Sequence, residues 1–179
     1  DALPISHKIK NGDIDIAILA LPYDIDGLLP LKFWEEDFYL ITHKDDKKAY
    51  REEITANDLE ESRLMLLEDG HCLKDQALDV CKISSNAHHS VTASNLSTLI
   101  QFVTGKMGTT LVPHMALPQL LAANPHITNV HLNEPGPHRE IAIVMRPTYF
   151  SINGIHLLRN LFESELVSYF TLHNTKKSE

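Results

Sequence analysis

Apolar positions along the chain switch repeatedly between short continuous runs and a spacing of three to four residues. Residues 14–21 (Ile-Asp-Ile-Ala-Ile-Leu-Ala-Leu) are rich in β-branched side chains and apolar on both faces, which predicts a buried parallel strand. Residues 28–31, 37–43, 64–67, 91–93, 109–112, 130–132 and 139–146 predict further strands. Helical spacing fills the gaps. Residues 7–10 read as the end of a helix closed by Asn11-Gly12, and 55–59 as a short capped helix. Over 72–81, Leu73, Ala77, Leu78 and Cys81 share one side, with Lys74, Asp75 and Asp79 outward. A helix over 96–104 is capped by Ser94 or Asn95, and one over 116–123 is stopped by Asn124-Pro125. Residues 152–172 predict a long amphipathic helix with Ile155, Leu158, Leu161, Phe162, Leu166 and Phe170 along one side. The charged run 44–53 and the polar stretches 84–90 and 133–138 read as loops, and 171–179 as a polar tail. Strand and helix alternate throughout, so the fold class is α/β.

Composition sets outer bounds. A chain of 179 residues can bury a core as one domain or as two small lobes. Its 43% hydrophobic and 22% charged residues are those of an ordinary globular protein. No apolar run approaches the ~20 residues of a membrane span. The net charge of −8, with no basic patch, argues against nucleic-acid contact by this stretch itself. The chain opens on Asp-Ala-Leu-Pro-Ile-Ser without a methionine, so residues 1–6 read as a non-native leader and the remainder as beginning mid-domain.

The candidate chemistry lies in the only two cysteines, Cys72 and Cys81. The spacing puts Cys72 in the first turn of its helix, after the Asp69-Gly70 turn, where exposed N–H groups and the helix dipole favour an anion. His71 and Lys74 flank it, and neighbouring cations also favour the reactive thiolate. Nine residues of continuous helix span roughly 13 Å and leave the two side chains on opposite faces. A disulfide needs Cα atoms within about 7 Å, so helix and disulfide exclude each other and a bond between these cysteines forces local refolding. Other readings compete. Two thiols in one domain are often unrelated core residues, and a structural disulfide needs an oxidising compartment. His71, Cys72, Cys81, His88 and His89 offer nitrogen and sulfur, but in no compact zinc spacing, so neither metal nor cofactor is expected. A thiol enzyme with Cys72 as nucleophile and His71 as base suffers because adjacent helical residues point in different directions, so no enzyme is expected. His114, His126, His131, His138 and His156 are scattered and read as surface or loop residues.

Leu66-Leu67-Glu68-Asp69-Gly70-His71-Cys72-Leu73-Lys74-Asp75-Gln76-Ala77, followed by Cys81, resembles nearly residue for residue the sensing segment of the OxyR-type peroxide sensors, a branch of the LysR-type transcription regulators. More weakly, the resemblance extends from His7 to Phe170. It implies a two-lobed, periplasmic-binding-protein-like regulatory domain over 7–170. The first lobe, 7–36 plus 146–170, would be incomplete, the second would run over 37–145, and the N-terminal winged helix-turn-helix DNA-binding domain would be absent. It further implies that hydrogen peroxide oxidises Cys72 to a sulfenic acid, which Cys81 resolves as a disulfide. The refolding would alter a homo-oligomer (dimer or tetramer) and its DNA contacts, made through the absent domain, in the cytoplasm, with a cellular thiol reductant resetting the pair. Supporting roles fall to His71, Lys74, Asp75 and Arg139, the last expected beside the reactive cysteine.

The chain departs from the family in places. Lys74 stands where the family commonly has arginine, which keeps the charge and loses the planar fork. Gly105-Lys106-Met107-Gly108 replaces a Gly-x-Gly, His89 does not align cleanly with an expected histidine, and the peroxide pocket's hydroxyl residues precede His7 in the family. The alternative reading is a LysR-type or solute-binding domain that takes a small ligand between its lobes, with incidental cysteines.

Overall fold

The computed structural model describes residues 5–60, 62–68, 72–82 and 91–174. The chain divides into two compact units, residues 1–35 with 139–179, and residues 36–138.

In the first unit, α1 (Ile5–Asn11) ends at Gly12, whose φ of 82° is the left-handed turn glycine adopts without strain. Ile5 and Ser6, set apart in the sequence reading, form its first turn, and Ser6 is buried. β1 (Ile16–Leu21), β2 (Leu29–Glu36) and β9 (Arg139–Met145) make a three-stranded sheet with β9 in the middle. β1 runs antiparallel to β9, from Ile16 opposite Met145 to Leu21 opposite Glu140. The expected buried parallel strand is therefore an antiparallel edge strand with Ile18 50% exposed. β-Branched residues favour a strand, but they do not choose the direction of its partner.

The pleat of β9 sends alternate residues to two clusters. Ala142 and Val144 pack with Ile9, Ala17 and Leu28, while Ile141, Ile143 and Met145 pack with Phe33 and Ile155. Arg146, just beyond β9, donates to the carbonyls of Ile9 and Ile14 at 2.9 and 2.7 Å and to Asp15 at 2.9 Å, tying α1 and β1 to the strand. α6 (Ile152–Asn174) lays Ile155, Phe162 and Phe170 on the second cluster and on β2, with Trp34 stacked on Phe170 at 5.3 Å. Leu161, predicted on the buried stripe, is 53% exposed, and residues 171–174, read as tail, continue the helix.

The second unit holds a four-stranded sheet in the order β4 (Glu53–Ile54), β8 (Ile127–Leu132), β3 (Phe38–His43), β7 (Thr110–Pro113). β3 is antiparallel to both neighbours, with Leu40 opposite Val130 on one side and Leu111 on the other. A short parallel pair, β5 (Leu66–Leu67) and β6 (Thr92–Ala93), continues the layer, and Leu64 bridges to Thr109. The helices are α2 (Ala56–Glu60), α3 (Cys72–Cys81), α4 (Leu96–Thr104) and α5 (Leu117–Ala123). α2 and α3 cover Phe38, Leu40, Leu66 and Leu132, while α4 and α5 cover Ile41, Met65, Val112 and Ile127. Asn95 caps α4 by accepting the Thr98 N–H at 2.9 Å, which decides between the two predicted caps.

Two features bear on later arguments. The Gly105–Gly108 turn puts its left-handed residue at Lys106 (φ 59°), while Gly108 is needed for space, since a Cβ there would lie 2.3 Å from the Arg63 carbonyl. His138, read as a surface or loop histidine, lies in the loop before β9 but is buried: Phe38 N–H donates to its Nδ1 at 2.8 Å and its Nε2 donates to the Glu134 carbonyl at 3.1 Å. A neutral imidazole has one donor and one acceptor, and both are used, so burial costs it no hydrogen bond. The chain leaves the second unit at this residue, earlier than the boundary expected near Met145, because the whole of β9 pairs with β1 and β2.

Candidate functional site

The two cysteines are the first and last residues of α3. The helix forms because Ala77, Leu78 and Cys81 enter the core at helical spacing, with Leu73 packed half-buried beside them. It stops because Lys82 takes a φ of 52° and its N–H turns back to the Asp79 carbonyl at 3.2 Å. Cys72 is exposed and Cys81 is only 5% exposed, and both are free thiols. A helix of this length separates the two Cα atoms by roughly 13 Å, beyond disulfide reach. The predicted opposition of helix and disulfide is therefore a property of the fold.

The surroundings of Cys81 are apolar, with the Glu134 carboxylate among its charged neighbours. Ile54, Leu59, Leu132 and Ala56 pack in its cluster. Burial first, and then the negative charge of Glu134, push its thiol up to about 12. The Glu134 carboxylate accepts the Ala56 N–H at 2.6 Å, at the start of α2. In the sequence Glu134 is one residue of the loop 133–138. Nothing local in the sequence marks it, because its role depends on a tertiary approach to a helix far along the chain.

The other predicted site residues are distributed as follows. Asp75 lies exposed in the first turn of α3. Lys74 is half-buried and lines a small crevice with Leu73, Leu96, Leu99 and Thr110. His71, His88 and His89 lie outside the described residues. Arg139 opens β9, half-buried in the first unit, whereas both cysteines belong to the second. Gln76, on the same helix, is buried. Among the described residues no group of three histidine, cysteine or acidic side chains is arranged to hold a metal ion, and no helix is long and apolar enough to cross a membrane.

Known proteins share this fold. The family model for the LysR substrate binding domain matches residues 4–166. A probable hydrogen peroxide-inducible genes activator of Streptomyces viridosporus is 38% identical over 140 residues, covering 77% of this chain and 45% of that protein. The HTH-type transcriptional regulator EstR of Acinetobacter baylyi is 36% identical over 144 residues, covering 79% and 47%. A cysteine mutant of Corynebacterium glutamicum OxyR, solved bound to H2O2, superposes with a TM-score of 0.83 at 27% identity, covering 97% of this chain and 55% of that one. The chain spans about half the length of the curated relatives it matches. A sheet-and-helix core of this topology, matched over nearly its whole length, places the chain in the LysR substrate-binding domain family of transcription regulators, among relatives of the OxyR type.

Proposed function

We propose that this chain is the peroxide-sensing part of an OxyR-type activator, with Cys72 as the sensing thiol and Cys81 as the resolving one. The observation that carries the reading is the asymmetry of the pair: one thiol exposed at the start of α3, the other buried at its end and held protonated. The peroxide-inducible activator of Streptomyces viridosporus and the H2O2-bound OxyR of Corynebacterium glutamicum support peroxide as the signal. The Cys72 thiolate attacks one peroxide oxygen, an S–O bond forms, the O–O bond breaks, and the departing hydroxide takes a proton to leave as water. The Cys81 sulfur then attacks the Cys72 sulfenic acid. The S–S bond forms, the S–O bond breaks, and the hydroxyl leaves with the thiol proton as a second water. The pair is oxidised by two electrons, peroxide is reduced to two waters, and a cellular dithiol reverses the change by exchange.

Because α3 holds the sulfurs apart, the second step requires the helix to come apart, and that refolding is the signal. In the full-length regulator it reaches an oligomer and, through a DNA-binding domain, the promoter, in the cytoplasm. The family resemblance gives Lys74, Asp75, His71 and Arg139 supporting roles toward the sensing thiol. Trapping with dimedone after peroxide tests the chemistry. Cys81→Ser is expected to accumulate a sulfenic acid on Cys72, and Cys72→Ser to leave Cys81 reduced. If peroxide leaves both wild-type thiols titratable, the chain is instead a domain for a small ligand with incidental cysteines.

A further inference from the structure

Cys81 presents a problem for any exchange that uses it, because a resolving thiol must be silent until the sensing thiol has reacted. Burial in the Ile54–Leu59–Leu132 cluster does part of this. The fold adds a fixed charge. Glu134 is held at three points: its N–H donates to the Leu132 carbonyl at 3.1 Å, its own carbonyl accepts His138 Nε2 at 3.1 Å, and its carboxylate accepts the Ala56 N–H at 2.6 Å. Ala56 and Leu132, which anchor it, both pack in the cluster that contains Cys81.

We propose that Glu134 is a positioning residue that keeps Cys81 in reserve: its carboxylate, pinned on Ala56 beside the buried thiol, opposes thiolate formation there until α3 comes apart. The inference rests on the reading of Cys81 as the resolving thiol. Among the described residues, Lys74 on α3 is half-buried against Leu73, Leu96 and Leu99, and several charged groups on the elements around Cys81 are engaged elsewhere. Asp58 on α2 pairs with Arg51 and accepts from Thr55, and Glu53 on β4 and His131 on β8 pair with each other, with Asp37 on the second ring nitrogen of His131. On α3 itself, Asp75 and Asp79 are exposed and Lys82 follows Cys81 directly. Glu134 is the charge whose field raises the thiol, after burial. A like charge fixed nearby disfavours an anion, and unwinding α3 removes the sulfur from that field at the moment it is needed.

The test reads Cys81 alone, in a Cys72→Ser background, by its rate of alkylation against pH in the native protein. Glu134→Gln keeps an oxygen for Ala56 N–H and removes the charge. It is expected to move the profile down by about one pH unit, roughly tenfold faster labelling at a given pH below the midpoint. Glu134→Asp, which keeps the charge, is expected to retain the parent profile. An unchanged profile in Glu134→Gln, equal shifts in both variants, or a faster alkaline plateau with an unmoved midpoint overturns the inference. Failure of the redox reading registers separately, as no dimedone adduct on Cys72 in the Cys81→Ser protein, and leaves the alkylation profile where it was.

Discussion

At the scale of single residues, the two thiols differ by environment, and that difference is measurable without peroxide. Cys72 is exposed at a helix start, and Cys81 is buried with its thiol raised to about 12. Brief alkylation at limiting reagent and neutral pH is expected to label Cys72 and spare Cys81, since only the thiolate reacts. Peptide mass mapping checks it, and preferential labelling of Cys81 reverses the assignment. The raised thiol also sets a pH dependence of stability. Cys81 stays protonated in the fold while an unfolded chain ionises it near its ordinary value of 9.0. Its stabilising contribution is therefore whole below pH 9 and is lost as pH rises from about 9 to about 12. Urea midpoints of the native protein and of Cys81→Ala, compared between pH 8 and 11, are expected to converge as the solution becomes more alkaline.

At the scale of elements, α3 and the turn before β7 carry the sharpest expectations. Oxidation of the pair is incompatible with a continuous α3, so amides of residues 73–81 are expected to lose hydrogen-exchange protection in the oxidised protein, while those of α4 keep it. Retained protection over α3 in a protein with a proven Cys72–Cys81 bond contradicts the refolding step. Gly108 lies under the Arg63 carbonyl, which also accepts the Thr109 N–H at 3.0 Å. Gly108→Ala is expected to push β7 off this contact and cost about 1–3 kcal/mol in chemical denaturation. Asn95→Ala, which removes only the α4 cap, is expected to cost about 1 kcal/mol by the same measurement.

At the scale of the whole molecule, the two units differ in how well they cover their own apolar surface. In the first, β1 is a sheet edge with Ile18 exposed, and α6 leaves Leu157, Leu161, Val167 and Leu172 outward. An open strand edge and exposed apolar side chains favour self-association and fast local opening. The central strand β3 of the second unit has partners on both sides and buries Phe38, Leu40 and Ile41 completely. Hydrogen exchange along the isolated chain is expected to protect residues 38–42 far longer than 16–21. Equal protection of the two strands in a monomer shows that the edge is harmless.

The sequence by itself determined the kind and place of nearly every element, and the position of both cysteines on one helix. Helix and strand follow from local spacing, so α3, α4 with its Asn95 cap, β3 and the returning strand are legible in a few residues each. The segment that carries both cysteines was legible for the same reason, since its residues are contiguous. Tertiary structure decided what depends on partners distant in the chain. It turned the 14–21 run into an antiparallel edge strand, because strand propensity is blind to partner direction. It moved β9 wholly into the first unit, since pairing, not composition, assigns a crossing strand. It buried His138, which the sequence reading put on the surface or in a loop, and Gln76, for which that reading made no assignment. It also brought Glu134 to Ala56 beside Cys81, an encounter between residues far apart in the chain that no local pattern encodes.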